Sequence, residues 1–275
     1  MSDRDFKRFR NFIYDKCGIN LVEAKKTMLT ARLQKRLKAA GISSFSQYFD
    51  YVTGRGASNG ELVQMIDAIT TNKTEFFRES AHFDYLTQTA LPELIGRSGG
   101  GLKKKVTLWS AGCSSGEEPY TLAMVLSEFA EKIPGFDFSI LATDISTKVL
   151  KTAIAGIYEH EKIQPVPMRL RKKYLLRGKG DRKGLVRIVS GLRSRVKFLR
   201  MNLIDEKLDI SQPVEVVFCR NVIIYFDRPT REKVINNLAK HLIRGGYMFM
   251  GHSETLNGLI VPLSPVAPTV YRKTK

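Results

Sequence analysis

The stretch VTLWSAGCSSGEEPY (Val106–Tyr120) decides the fold. Val106–Ser110 is a short apolar run of strand length. Gly112 and Gly116 then supply a turn, and Glu117–Glu118–Pro119 opens a helix whose apolar pattern continues through Tyr120–Ala130. The same order returns in Phe138–Thr143 with a helix after Ser146, and in Val214–Cys219 with a helix over Thr230–His241. Gly246–Gly251 and Thr269–Tyr271 read as further strands. Strands alternating with helices of this length predict an α/β doubly wound sheet with a ligand crevice at its carboxyl edge. A nucleotide-type cofactor is the expected guest.

Before Gly99–Gly101 the pattern is different. Phe6, Phe9 and Ile13, then Leu29, Leu33 and Leu37, recur at three- and four-residue steps and predict helices, with Gly41 as a stop. Ser44 can cap a helix carrying Phe45, Tyr48, Phe49 and Val52. Leu62, Met65, Ile66 and Ile69 continue the pattern after a polar break at Gly54–Gly60. The first seventy residues therefore form an all-helical unit. Pro165–Arg200 interrupts the later alternation, and its RGKGDRKGLVRIV segment predicts a small hairpin-bearing insertion.

Of 275 residues, 43% are hydrophobic and 26% charged, enough to bury a core and to exclude disordered and fibrous classes. No apolar run approaches the roughly 20 residues of a membrane span, and the charged N-terminus lacks a secretory pattern. The protein is expected in the cytoplasm, with Cys17, Cys113 and Cys219 as reduced thiols. The net charge of +18 sits in two places: Ala24–Ala40 holds six Lys/Arg and no acid, and Pro165–Arg200 holds thirteen against Asp181 alone. Two basic surfaces in an otherwise balanced chain are candidates for acidic partners.

The turn after the first strand lacks the GxGxxG spacing of a pyrophosphate site. Glu117 and Glu118 at its mouth would repel phosphates and suit a cationic ligand. S-adenosylmethionine, with a sulfonium, an ammonium, a ribose and no phosphate, fits. Asp144 ends the second strand, where a carboxylate can accept from both ribose hydroxyls, and Ser146 is the better-placed helix cap. Asn202 and Leu203 follow the predicted strand Val196–Leu199 and could read adenine. Arg220, Asn221 and Tyr225 lie beyond Val214–Cys219, whereas burial alone accounts for Val222–Ile224.

Five strings in order, TTNKTEFFRE (Thr70–Glu79), WSAGCSSGEEPY (Trp109–Tyr120), ATDIS (Ala142–Ser146), FCRNVIIYFD (Phe218–Asp227) and GHSE (Gly251–Glu254), resemble the CheR-type chemotaxis protein-glutamate O-methyltransferases. The resemblance implies a helical N-terminal domain over 1–70, a linker over 71–90, and a Rossmann-like methyltransferase domain over 91–275 with a β-subdomain inserted at about 165–200. It implies that Asn72, Thr74, Arg78, Glu118, Asp144, Asn202, Leu203, Arg220 and Asn221 line the S-adenosylmethionine pocket. The implied reaction methylates glutamate side chains in the cytoplasmic helical bundle of a chemoreceptor, leaving S-adenosylhomocysteine. Arg78 and Tyr225 are the candidates for positioning the carboxylate or the methionine end of the cofactor.

A carboxylate is already ionised at neutral pH, so no general base is required and His252 reads as structural. No metal is expected at His82, His160 or His241. Arg32, Lys35 and Lys38 share a helical face that matches the family's receptor-binding surface. The insertion resembles the β-subdomain that in some members takes a receptor's C-terminal pentapeptide as an added strand. A monomer is the default, with no nucleic-acid partner and no membrane insertion. The alternatives are a nucleic-acid methyltransferase and a non-catalytic S-adenosylmethionine-binding sensor or scaffold. Against the first, Asn221 is followed by Val-Ile-Ile-Tyr rather than by Pro-Pro-aromatic, and no aromatic stacking platform accompanies the basic segments.

Overall fold

The computed structural model describes residues 1–54, 57, 59–97 and 105–274. The expected breakpoint at Gly99–Gly101 and part of the break at Gly54–Gly60 lie outside them. The described residues at the start of the chain include the helices α1 (Asp3–Cys17), α2 (Lys26–Ala39), α3 (Phe45–Thr53) and α4 (Glu61–Ile69). Their periodic residues Phe6, Phe9, Ile13, Leu29, Leu33, Leu37, Tyr48, Val52, Met65 and Ile69 make one buried cluster. Ser2 and Ser44 cap α1 and α3 by accepting from the backbone N–H three residues on. Gly41 follows α2 in the left-handed conformation, and Ile42 N–H returns to the Leu37 carbonyl.

Residues 70–80 carry no helix or strand. Two helices, α5 (Ala81–Tyr85) and α6 (Leu91–Arg97), joined by a π-helical turn over Leu86–Ala90, then place Phe83, Leu86, Leu91 and Leu94 in the core of the sheet. That sheet is built from β1 (Lys105–Ala111), β2 (Asp137–Asp144), β6 (Val196–Arg200), β7 (Val214–Cys219), β8 (Leu242–Met250), β9 (Leu263–Ala267) and β10 (Val270–Lys273). Its order is β6-β2-β1-β7-β8-β10-β9. The first five strands are parallel; β10 is antiparallel to both β8 and β9. The chain leaves β1 toward β2 on one side and returns to β7 on the other. The carboxyl ends of β1 and β7 therefore flank a switch point, where a crevice opens. The connecting helices are α7 (Glu117–Ala130), α8 (Thr147–Ala155) and α9 (Arg228–His241).

The insertion differs from expectation at both ends. A second sheet of order β3-β5-β4 is made by β3 (Ile157–Glu159), β4 (Leu175–Arg177) and β5 (Leu185–Ile188). It starts before Pro165, and Val196–Arg200 belongs to the main sheet through parallel pairing with β2. β3 is three residues long and its partner β5 lies about thirty residues later, so no local pattern announces it. β9 was equally silent because Pro262 and Pro265 sit at and in it, tolerable only on an edge strand. β8 begins at Leu242, four residues before the predicted start, since its pairing with β7 shifts register around Gly245–Gly246.

Candidate active site

One cavity of about 650 Å³ lies at the carboxyl ends of β1, β2 and β7 and beneath the helical unit. Asn72, Thr74 and Arg78 line it from residues 70–80; Glu118 and Asp144 line it from the sheet edge. Asn202 and Leu203 enter from the loop after β6, and Arg220, Asn221 and Tyr225 from the loop after β7. Arg32, Lys35 and Lys38 are outside it. Lys35 and Lys38 project from α2 into solvent, while Arg32 is turned to the chain after α4, donating to the carbonyls of Ile69 and Thr70 and, at 3.1 Å, to Thr71 Oγ1. Arg36 forms a bidentate pair with the buried Glu61 (3.0 and 2.7 Å). The α2 charge is thus partly structural.

Asp144 is buried, and burial raises its carboxyl above the usual carboxylate range, against the pull of backbone N–H groups. Its Oδ2 accepts from Ser114 N–H (2.8 Å) and its Oδ1 from Ser146 N–H (2.9 Å). Each oxygen keeps a lone pair for a ligand hydroxyl. This corrects the capping expectation: Ser146 precedes α8, yet its hydroxyl is buried without a partner, and Asp144 binds the free N–H there.

Glu117 and Glu118 do not act as a pair. Glu117 is buried with its Oε2 on Ser115 Oγ (2.7 Å), near Lys162, and does not line the cavity. Glu118 accepts from Ser110 Oγ (2.7 Å) and from Arg220 Nε (2.7 Å), so its charge is matched inside the protein. Arg220 is a strut as well as a lining group. Its Nη1 donates to the Arg78 carbonyl (2.7 Å), approaches Glu79 Oε2 (3.4 Å) and meets His82 Nδ1 (3.1 Å).

That strut explains a strained turn. Phe77 and Glu79, on either side of Arg78, both have left-handed φ values of 56° and 54°. Such conformations cost about 1–3 kcal/mol each and persist where surroundings over-determine them. Arg220 and Phe77 N–H on Thr121 Oγ1 (3.2 Å) provide the restraint. The Arg78 side chain is held by the Lys73 carbonyl (3.2 Å) and lies near the half-buried Tyr225, whose hydroxyl burial pushes to higher pKa.

Glu79, His82 and His252 bring their ligand atoms within 4.8 Å of one another. The Arg220 guanidinium occupies the same junction and would repel a metal ion. His252 is mostly exposed and contributes its backbone N–H to Glu79 (3.2 Å). Sequence reasoning missed Ser110, Ser114, Glu79 and His82, which brace the lining residues. It also missed the stretch after α1: Ile19, Asn20, Leu21 and Val22 line the cavity, with Lys25 and Met28 beyond them. Asn20 N–H donates to the Tyr225 carbonyl (2.9 Å), and Asn202 Nδ2 to the Lys16 carbonyl (2.8 Å). No sequence signal marks this, since Gly18–Val22 reads as an ordinary interhelical loop. The expectation that Val222–Ile224 are core holds only for Ile223; Val222 and Ile224 face the cavity, and Ile224 is 42% exposed.

Residues 72–270 match the family described as CheR methyltransferase, SAM binding domain, and residues 4–70 match the CheR methyltransferase all-alpha domain. The chain belongs to the CheR methyltransferase family. It is similar to the chemotaxis protein methyltransferase of Borreliella burgdorferi, 40% identical over 98% of this chain and 94% of that one. Those of Escherichia coli and Klebsiella aerogenes are 36% and 38% identical, each over 100% of this chain and 92% and 91% of theirs. As in the family, the chain is an S-adenosylmethionine-dependent methyltransferase acting in chemotaxis.

The cavity suits that cofactor. It sits at the switch point and presents the buried carboxylate of Asp144 with spare lone pairs where a ribose hydroxyl would bind. S-adenosylmethionine, when bound, supplies an activated methyl group on a sulfonium. The protein's own share is to bind, orient and exclude water.

Proposed function

We propose that the protein methylates glutamate side chains of a chemoreceptor's cytoplasmic helical bundle, forming methyl esters. The observation that carries this reading is the division of charge around the cavity. Its acids, Asp144 and Glu118, come from the sheet edge, where Arg220 is paired with Glu118 and Arg231 is bound to the carbonyls of Ile223 and Phe226; its remaining cations Lys25, Lys73 and Arg78 come from the helical unit and from residues 70–80. A cationic cofactor belongs on the first side and an anionic acceptor on the second. Among the described lining residues no histidine is present to act as base, and a glutamate with an unperturbed pKa of about 4.3 needs none.

In this reading Asp144 accepts from the ribose hydroxyls, Asn202 and Leu203 meet the adenine, and Asn72, Thr74, Glu118, Arg220 and Asn221 hold the methionine end. Arg78 and Tyr225 orient the acceptor oxygen toward the methyl carbon, where alignment and desolvation supply the rate. The helical unit, 1–70, recognises the receptor through Lys35 and Lys38, with Arg32 fixing its junction to 71–90. The receptor's C-terminal pentapeptide adds as a strand to an edge of the three-stranded sheet, raising local concentration. The protein works as a cytoplasmic monomer without a metal. No helix among the described residues is long and apolar enough to cross a membrane.

The test is transfer from methyl-labelled S-adenosylmethionine to receptor cytoplasmic fragments, scored as methanol released by alkali. Release that vanishes in Arg78→Ala and Tyr225→Phe, with S-adenosylhomocysteine still bound, supports the reading. Label that stays alkali-stable, or appears in nucleic acid, overturns it.

A further inference from the structure

The loop after β7 carries Arg220, Asn221 and Tyr225, and something must hold it in an unfavourable shape: Asn221 has a φ of 59°. That support is a carboxylate. Glu254, 4% exposed, accepts from Asn221 N–H (2.7 Å) and Gly251 N–H (2.8 Å) on Oε2, and from Ile224 N–H (3.3 Å) on Oε1. Its charge is stabilised by backbone N–H dipoles, those of Gly251, Asn221 and Ile224 and also that of Ile223, against the cost of burial. Gly251 completes the lock: a Cβ there would stand 2.5 Å from Asn221 Nδ2 and 2.8 Å from Asn221 N. The loop after β8 thus clamps the loop after β7.

From this geometry we infer that Glu254 is a positioning residue for methyl transfer. It is not among the residues that line the cavity; it holds Asn221 left-handed and fixes Ile224, so that the side chains on either side face the cavity. A buried aliphatic could fill the volume but would leave three N–H groups unpaired. Glutamine has one acceptor oxygen where the loop uses two, so even this isosteric change loosens one end.

Two variants of the full chain test this by independent routes, Glu254→Gln through the hydrogen bonds and Gly251→Ala through the close approach. For each, the turnover number is measured at saturating S-adenosylmethionine per S-adenosylhomocysteine-binding site, beside the melting temperature. The expected result is a fall of at least tenfold per site in both, the acceptor KM changing less than threefold and the fold intact. Turnover per binding site within twofold of the parent in both would overturn the inference, since a merely structural role lowers only the number of sites. Should Glu254→Gln not fold, Gly251→Ala decides alone. The turnover readout rests on the receptor acceptor proposed above. If the parent itself methylates no receptor fragment, that reading fails separately, and S-adenosylhomocysteine affinity decides this one: at least threefold weaker in both variants is expected, and unchanged affinity overturns it.

Discussion

Lowering the pH should destabilise the fold through His82. Arginine can only donate, so the Nδ1 that meets Arg220 Nη1 at 3.1 Å is an acceptor and the proton resides on Nε2, which donates to Thr269 Oγ1 at 2.8 Å. The Thr269 hydroxyl in turn donates to the Pro268 carbonyl. Burial first, and then the Arg220 charge, push the imidazole down to about 4. For a base depressed in the fold, the unfolded chain binds the extra proton. Stability therefore holds above the unfolded pKa of about 6.5 and is lost as pH falls toward 4. With those two values, moving from pH 7.5 to 5 costs about 2 kcal/mol, roughly thirtyfold in the folding equilibrium. Glutamine can reproduce the neutral pattern, accepting from Arg220 and donating to Thr269, without titrating. Urea unfolding of parent and His82→Gln at both pH values should show about 2 kcal/mol more acid loss in the parent. Glu79, Arg220 and His252 face the ring in both proteins and cancel in the difference. Equal acid losses, within about 0.5 kcal/mol, would refute the reasoning.

Asp144→Asn should weaken S-adenosylhomocysteine binding about tenfold or more, the scale of a lost charged hydrogen bond. Because burial raises this carboxyl, the parent's affinity should decline as the pH is lowered and Asp144 protonates, whereas the variant's calorimetric affinity should stay flat. Lys35→Glu with Lys38→Glu should raise the acceptor KM several-fold at low salt, converging with the parent at high salt, and leave cofactor affinity alone. Gly18→Val should cost about 2–4 kcal/mol in urea unfolding, because Gly18 is left-handed (φ 71°) and a Cβ would lie 2.7 Å from Ile204 Cγ2.

Strands β1, β2 and β7 were legible because each is an apolar run closed by its own turn and helix. Such information is local. What escaped depends on pairing across the chain: β3 takes its strand character from β5, and β9 exists only as the edge next to β10. At the site, lining residues were readable from strand ends and matching motifs, but their supports were not. GHSE drew attention to His252, whose ring is mostly in solvent, while the buried Glu254 two residues on makes three backbone contacts. Likewise two adjacent glutamates looked like one acidic mouth. Helical rotation sends Glu117 behind the turn and Glu118 to Arg220.

The contacts after α1 carry a consequence for protein engineering. Tyr14 donates to Asp227 (2.8 Å), Gly18 is wedged beside Ile204 and Thr230, and Asn20 is bonded to the carbonyl of Tyr225. A chimera that borrowed another protein's helical unit would thereby exchange part of the ceiling over the reacting groups. Retargeting by domain swap and retuning of turnover are therefore a single operation in this architecture, unless the junction is cut after Val22 and the native first helix is kept.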